Sequence, residues 1–152
     1  MIRILVAMQR EAEALGLPCE VVGIGAKRLP VTTADDILVN VGYCGAEEIK
    51  PGTIVEPDET ADYGTGIGTV LPTHFDVVHA PCFTSNKFVT EACFLNPSVY
   101  DMELARIAEL PHKELYALKI VSDNLDEADC EAFNDEEAWE QVRTLLKGEN
   151  LI

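Results

Sequence analysis

Two stretches near the C-terminal end of the sequence decide the fold class and place two acids at positions of functional interest. Residues 116–127, YALKIVSDNLDE, begin with apolar side chains that predict a buried strand, which runs into Asp123. Residues 99–110, VYDMELARIAEL, have the apolar spacing of a helix and carry Glu103 near its start. Because α/β proteins bind ligands beyond the carboxyl ends of their strands, both carboxylates are candidates for ligand contact.

The rest of the chain alternates short apolar strands with glycine turns and helical patterns. We predict strands over residues 2–7, 37–41, 53–56, 77–79 and 115–121, with a further candidate at 19–22. Helices are predicted over 9–15, 102–110 and 133–147, the last with Asn134 or Asp135 as its N-cap. Since continuous apolar strands between helices are typical of a sheet covered on both faces, we expect a three-layer α/β/α fold with a mixed, largely parallel sheet.

Composition and charge limit the classes of function. The chain has 152 residues, 47% of them hydrophobic, which suffices for one core and predicts a single domain over residues 1–152. A net charge of −16 disfavours nucleic acids and anionic membranes as partners, because both are bound through Lys and Arg. No apolar run approaches the roughly 20 residues that span a bilayer, and the opening lacks a cleavage site, so we expect a cytoplasmic protein.

Cysteine usage predicts reduced thiols and no metal. The cysteines are odd in number and have no Cys-x-x-Cys spacing: Cys19, Cys44, Cys82, Cys93 and Cys130. A zinc site can be drawn from Cys82, Cys93, His74 and His79, but the closely spaced ligand pairs of zinc knuckles are missing. We therefore expect neither a metal nor a cofactor.

The predicted strand ends select candidate site residues. They present residues 8–11, 42–45 and 122–123, with Met102 and Glu103 at a nearby helix start. Taken singly, Glu11 can be a first-turn helix acid and Asp123 a cap. Taken together, the acids indicate acid and base catalysis in a cleft, because a proton donor and a water activator must be separate groups.

Short motifs along the chain carry a family resemblance. They follow in the order AMQRE at 7–11, GIG at 23–25, KPGTIV at 50–55, PDE at 57–59, TSNKFV at 84–89, DME at 101–103 and KIVSD at 119–123. Their order and spacing resemble the nucleoside phosphorylase superfamily, and within it most of all the 5′-methylthioadenosine/S-adenosylhomocysteine nucleosidases. Relative to that family, the chain is shortened at residues 23–37 and 59–77.

The resemblance implies a purine nucleosidase that hydrolyses the N-ribosidic bond of an adenosine-type nucleoside. Asp123 matches the general acid that protonates purine N7, and Glu11 matches the acid that activates the water. An acid at position 123, where enzymes for 6-oxopurines are expected to carry Asn, favours a 6-aminopurine. The same resemblance implies a homodimer with a small purine nucleoside as its ligand.

Substrate-binding residues are implied in the same way. Glu103 matches the acceptor of the ribose hydroxyls, and Met102 the residue that packs on the sugar. Phe88 matches the ring that stacks on the purine, while the backbone of Val89 matches the group that hydrogen-bonds its edge. Three further positions complete the expected substrate site: Tyr43, Gly45 and Ser122.

Departures from the family leave two alternatives open. Tyr43 stands where the family usually has Ser, Lys119 where it has Arg, and Asp101 where it has Glu. The Gly-Asp-Pro-x-Arg opening that holds phosphate in the phosphorylases is absent, although Arg10 lies nearby in the sequence. The alternatives are a purine nucleoside phosphorylase and a homologue that binds a nucleoside without cleaving it.

Overall fold

The computed structural model describes residues 1–93 and 97–152, in which one mixed sheet of eight strands organises the chain. The strands are β1 Ile2–Val6, β2 Glu20–Val21, β3 Ile37–Gly45, β4 Ile54–Asp62, β5 Gly68–Val70, β6 Val78–Thr84, β7 Val99–Asp101 and β8 Glu114–Asp123. The helices are α1 Gln9–Leu15, α2 Leu104–Ala108, α3 Glu127–Ala132 and α4 Glu136–Gly148, with a 3-10 turn at Ile24–Ala26.

The sheet is largely parallel, as predicted, and part of it closes on itself. Parallel pairs join β1 to β2, β1 to β3, β3 to β8, β4 to β6 and β6 to β7. Antiparallel pairs join β3 to β7, β4 to β5 and β4 to β8. Strands β3, β8, β4, β6 and β7 therefore form a closed ring, which the sequence pattern does not predict.

Strand β8 runs between two hydrophobic clusters, one on each of its faces. Its residues Tyr116, Leu118 and Ile120 pack in the cluster that contains α1 and α4. The alternating residues Leu115, Ala117 and Val121 pack in the cluster that contains α2. Because successive side chains of a strand point to opposite faces, both faces of β8 must be apolar, which explains its continuous apolar sequence.

Several element boundaries differ from the predicted ones. Residues 42–45, which follow the predicted strand 37–41, belong to β3, and residues 99–101, which have helical apolar spacing, form β7 before the short α2. Strand β4 extends beyond the predicted 53–56 to Asp62, and β5 and α3 were not predicted. Helix α4 begins at Glu136, and of the two predicted caps Asp135 is correct, because its side chain accepts from the N–H of Ala138.

The two stretches predicted to be shortened contain little regular structure. Between β2 and β3 the described chain has the 3-10 turn Ile24–Ala26, and between β4 and β6 it has β5. Among the described residues, no helix has the length and apolar content needed to cross a membrane.

We predict that packing of α4 against the sheet contributes to stability in proportion to burial. Val142 in α4 is fully buried, whereas Val31 is 92% exposed. Val142→Ala should lower the free energy of unfolding by about 1.5–3 kcal/mol, because it removes buried apolar surface and leaves a cavity. The matched control Val31→Ala should change it by less than about 0.5 kcal/mol. Urea unfolding measures both, and equal effects would contradict the packing described for α4.

Candidate active site

A cavity of about 440 Å³ opens where strands β1, β3 and β8 end. The start of α2, the loop after β6 and helix α3 complete its wall. The cavity is lined by all nine residues that the sequence singled out: Glu11, Tyr43, Gly45, Phe88, Val89, Met102, Glu103, Ser122 and Asp123. The rule that ligands bind beyond strand ends selected seven of these residues, and the family resemblance added Phe88 and Val89.

Glu11 is buried at the cavity and held in place by three backbone N–H groups. The N–H groups of Ala7 and Met8 each donate to Oε1 at 3.0 Å, and that of Tyr43 donates to Oε2 at 2.6 Å. Burial raises the pKa of the Glu11 carboxyl, although these hydrogen bonds and the nearby Lys119 oppose the rise. The result is an oriented carboxylate that is a stronger base than one in water.

Gly42 in β3 allows two acids to converge. A Cβ atom at this position would lie 2.6 Å from Oε2 of Glu11 and 3.3 Å from Oε1 of Glu103. The first contact is closer than a Cβ tolerates and the second is tight, so a side chain at position 42 would displace the Glu11 carboxylate and crowd that of Glu103. Glu11, at the start of α1, and Glu103, the residue before α2, therefore meet over the end of β3.

Lys119 is a fully buried cation in the middle of these acids. Its Nζ lies 2.8 Å from Oδ2 of Asp101 and 2.5 Å from Oε1 of Glu103. Asp101 also accepts from Oγ1 of Thr84 at 2.6 Å and from the N–H of Leu104 at 2.8 Å. The ammonium thus links β8 to β7 and to the start of α2, which is the structural reason for an acid at both positions.

The cluster holds more carboxylates than cations, and this imbalance sets their protonation. Burial opposes ionisation of Asp101, but Lys119 and the donated hydrogen bonds prevail and lower the pKa of this carboxyl. Burial, with the charges of Asp101 and Glu11, raises the pKa of Glu103 to about 8 despite Lys119. One ammonium facing three carboxylates leaves Glu103 as an acid that holds its proton near neutral pH.

Asp123 ends β8 and presents its carboxyl to the same cavity. Its Oδ2 accepts from Oγ of Ser122 at 2.8 Å, and its Oδ1 accepts from the N–H of Leu125 at 2.8 Å. A Cβ at Gly45 would lie 2.8 Å from Oδ1, so the glycine is required there too. Burial raises the pKa of the Asp123 carboxyl in spite of these bonds, so it holds a proton at higher pH than an exposed Asp.

The side chain of Tyr43 belongs to the core beside the cavity. Its hydroxyl accepts from Nε1 of Trp139 at 3.0 Å, and its ring packs edge-on against Phe133 and Trp139. The contribution of this residue to the carboxylates is its backbone N–H, which donates to Glu11. The phenol therefore connects the cavity wall to α4, through a hydrogen bond that no local sequence pattern predicts.

Several solved structures with a similar fold are nucleosidases. A variant of 5′-methylthioadenosine/S-adenosylhomocysteine nucleosidase (MTAN) from Chlamydia trachomatis matches with TM-score 0.74 and 14% identity, covering 92% of this chain and 91% of that chain. MTAN of Helicobacter pylori matches with TM-score 0.68 and 12% identity over 97% of both chains. The chain has the MTAN fold.

A second kind of nucleosidase has a similar fold. Futalosine hydrolase of Helicobacter pylori matches with TM-score 0.68 and 13% identity over 97% of both chains. No protein-family model and no curated protein matches the sequence. The likeness to the MTAN fold therefore lies in the backbone, and the chemistry must be argued from the residues of this chain.

Arg10 connects helices α1 and α3 at one wall of the cavity. Its guanidinium lies 4.6 Å from the centroid of the Tyr43 ring and donates to the carbonyls of Cys130, at 2.8 Å, and Glu131, at 3.1 Å. These bonds tie α1 to the far end of α3, about 120 residues away. Sequence reasoning considered Arg10 only as a phosphate ligand, because a contact of this range leaves no local pattern.

The described residues offer no metal-binding cluster. No three His, Cys, Asp or Glu side chains among residues 1–93 and 97–152 are arranged to hold a metal ion. The backbone N–H of His74 and Nε2 of His79 both lie within hydrogen-bonding distance of the buried Glu56, away from the cavity.

We predict that stability depends on pH through Glu103. Its folded-state pKa is about 8, against 4.5 for the ordinary side chain. Because the folded protein holds this proton and the unfolded chain releases it, the free energy of unfolding should fall as pH rises from 4.5 to about 8. The contribution is at most about 1.4 kcal/mol per pH unit.

Glu103→Gln should make this decline shallower, since an amide does not titrate. Glu109→Gln, at an exposed position just after the same helix, is the matched control and should keep the wild-type dependence. Urea unfolding across that pH range measures all three proteins. Identical curves for Glu103→Gln and wild type would mean that Glu103 is ionised in the folded state.

Proposed function

We propose that the protein is a purine nucleosidase that hydrolyses the N-ribosidic bond of an adenosine-type nucleoside. The observation that carries this proposal is the meeting of two buried carboxyl groups, Glu11 and Asp123, on one cavity beside Phe88. Burial raises the pKa of both, so one can act as a base and the other can hold a proton. The MTAN fold of the chain supports a glycosyl hydrolase activity.

The purine occupies the end of the cavity formed by Phe88, Val89 and Asp123. The half-buried ring of Phe88 offers a stacking surface for the purine. An aromatic face stacks equally on a 6-aminopurine and a 6-oxopurine. The backbone of Val89 supplies the directional bonds to the purine edge. Asp123 donates its proton to N7, which makes the base a neutral leaving group when the bond to the ribose breaks.

The ribose lies at the end formed by Glu11, Met102 and Glu103. The Glu103 carboxyl has the acceptor oxygens needed for the ribose hydroxyls, and Met102 packs on the sugar. Glu11 takes a proton from water as the water oxygen bonds to the anomeric carbon. The bonding electrons of the broken C–N bond leave with the purine, through a transition state with oxocarbenium character.

Water suits this site better than phosphate as the acceptor. The carboxylates of Glu11 and Asp101 lie near the ribose end with one buried cation, Lys119, and a phosphate dianion placed there would be repelled. Arg10, the other cation near Glu11, already donates to two carbonyls of α3. Hydrolysis is therefore preferred over phosphorolysis.

An adenosine-type substrate follows from the acid at position 123 and agrees with the ligands of the related folds. MTAN structures of Chlamydia trachomatis hold MTA in one case and adenine in another, and both match this chain with TM-scores of 0.70 or more. Methylthioadenosine, adenosylhomocysteine and adenosine are the substrates to compare. The 5′ substituent is the part of the molecule that distinguishes them.

We predict that Asp123→Asn lowers the rate of adenine release by about 10²–10⁴-fold, the usual contribution of a general acid. The amide keeps the shape and the bond from Ser122, but it has no acidic proton for N7. Adenine release from methylthioadenosine measures the effect, and calorimetry checks that the substrate still binds.

The matched control is Asp35→Asn, at an exposed position away from the cavity, which should leave the rate unchanged. Undiminished activity of Asp123→Asn would refute this mechanism. Binding of all three nucleosides by the wild type without release of adenine would instead show a nucleoside-binding protein.

A further inference from the structure

A second, open cavity adjoins the ribose end of the candidate active site. Ala7, Met8 and Ile24 line both cavities. The remaining residues that line the second cavity, named here the basic annex, are Gln9, Val21, Gly23, Lys27 and Arg28. The annex thus contains two cations and no acid, whereas the chain as a whole has 27 acidic and 11 basic residues.

The turn after β2 holds the cations of the basic annex in position. The N–H of Arg28 donates to the carbonyl of Val22 at 2.7 Å, and the N–H of Ala26 donates to that of Gly23 at 3.0 Å. A Cβ at Gly23 would lie 3.4 Å from Nε of Arg28, so the guanidinium folds back over this glycine. Gly23 has φ of 85°, a left-handed conformation that favours glycine.

Neither cation of the annex is neutralised by the part of the chain that the structure describes. The ion pairs of residues 1–93 and 97–152 use Arg3, Arg106, Lys119 and Arg143, together with histidines and the N-terminus. Lys27 and Arg28 are both exposed and take part in none of them. In a strongly acidic protein, two adjacent unpaired cations beside a cavity form a local anion-binding surface.

The basic annex lies on the ribose side of the site. The residues it shares with the first cavity adjoin Glu11, whose Oε1 accepts from the N–H groups of Ala7 and Met8. It shares none of the residues assigned to the purine, such as Phe88 and Asp123. A group that projects from the sugar can therefore reach the annex.

We propose that the basic annex binds an anionic group, a carboxylate or a phosphate, carried by the 5′ substituent of the nucleoside. This inference rests on the proposed nucleosidase function and narrows its substrate class. The guanidinium of Arg28 offers paired N–H donors that match either anion, and the ammonium of Lys27 adds a second charge. An anion in the annex also lies beyond the acidic cluster, so the carboxylates of Glu11 and Asp101 repel it less than they would an anion at the anomeric carbon.

The test compares pairs of substrates in which one member carries an anion at the 5′ group and the other does not. One pair is an adenosine with a 5′-carboxyalkylthio group and its carboxamide; the other is adenosine 5′-phosphate and adenosine. The wild type should favour one of the anions over its neutral partner by at least about tenfold in kcat/KM, and which pair shows the preference identifies the anion.

Removal of the annex charges should remove this preference. The double variant Lys27→Met, Arg28→Met should lower kcat/KM for the preferred anion at least about tenfold more than for its neutral partner. The control Lys50→Met, Lys147→Met removes two exposed cations that lie outside both cavities and should keep the wild-type preference. High salt should weaken the preference of the wild type and not that of the double variant.

The other outcomes separate this inference from the proposed function. Adenine release without preference for either anion, or an equal loss on charged and neutral substrates in the double variant, would overturn the inference and leave the nucleosidase standing. Release that requires inorganic phosphate and yields a ribose 1-phosphate would refute the proposed hydrolysis, and the charge preference of the substrate pairs would still decide the annex. Absence of release from every substrate would refute the proposed function. Calorimetry would then compare the binding affinities of each charged nucleoside and its neutral partner. Equal affinities within both pairs would overturn the annex inference.

Discussion

The buried ion pairs of Lys119 are the interaction on which the site depends. A single ammonium at the centre of β8 lies 2.8 Å from Asp101 and 2.5 Å from Glu103, and it has no access to water. Leaving a buried charge unpaired typically costs about 3–5 kcal/mol, so the three groups fix one another. Because they belong to β8, β7 and the start of α2, the same contacts that fix the charges also define the floor of the cavity.

The imbalance of charge in this cluster connects structure to chemistry. Asp101 is ionised and paired with Lys119. Burial raises the pKa of the two remaining carboxyl groups of the cluster, those of Glu11 and Glu103. Asp123 reaches a similar state separately, through its own burial at the end of β8. Hydrolysis of an N-ribosidic bond requires a proton donor and a base, and buried acids with raised pKa values can supply both. Gly42 leaves room for the carboxyl groups of Glu11 and Glu103, and Gly45 leaves room for that of Asp123.

Much of the site could be predicted from the sequence because its residues lie at strand ends. Apolar strands and the acids that follow them are local patterns, so Glu11 and Asp123 were recognisable, and the fold brings them onto one cavity. The element boundaries were less predictable. Residues 99–101 have helical apolar spacing but form β7, because the ring of strands pairs Tyr100 with both Gly45 and Phe83. Contacts between distant parts of the chain, such as Arg10 with α3, leave no trace in a local pattern.

We propose that Glu11 takes a proton from the water that attacks the anomeric carbon of a purine nucleoside. The reaction takes place in the cavity beside the Lys119 cluster. The most direct measurement is the reaction of methylthioadenosine in water labelled with heavy oxygen, followed by mass spectrometry of the sugar product. Hydrolysis should release adenine and place one labelled oxygen in the ribose derivative, in the presence or absence of phosphate. A phosphorylated sugar, or no adenine at all, would contradict it.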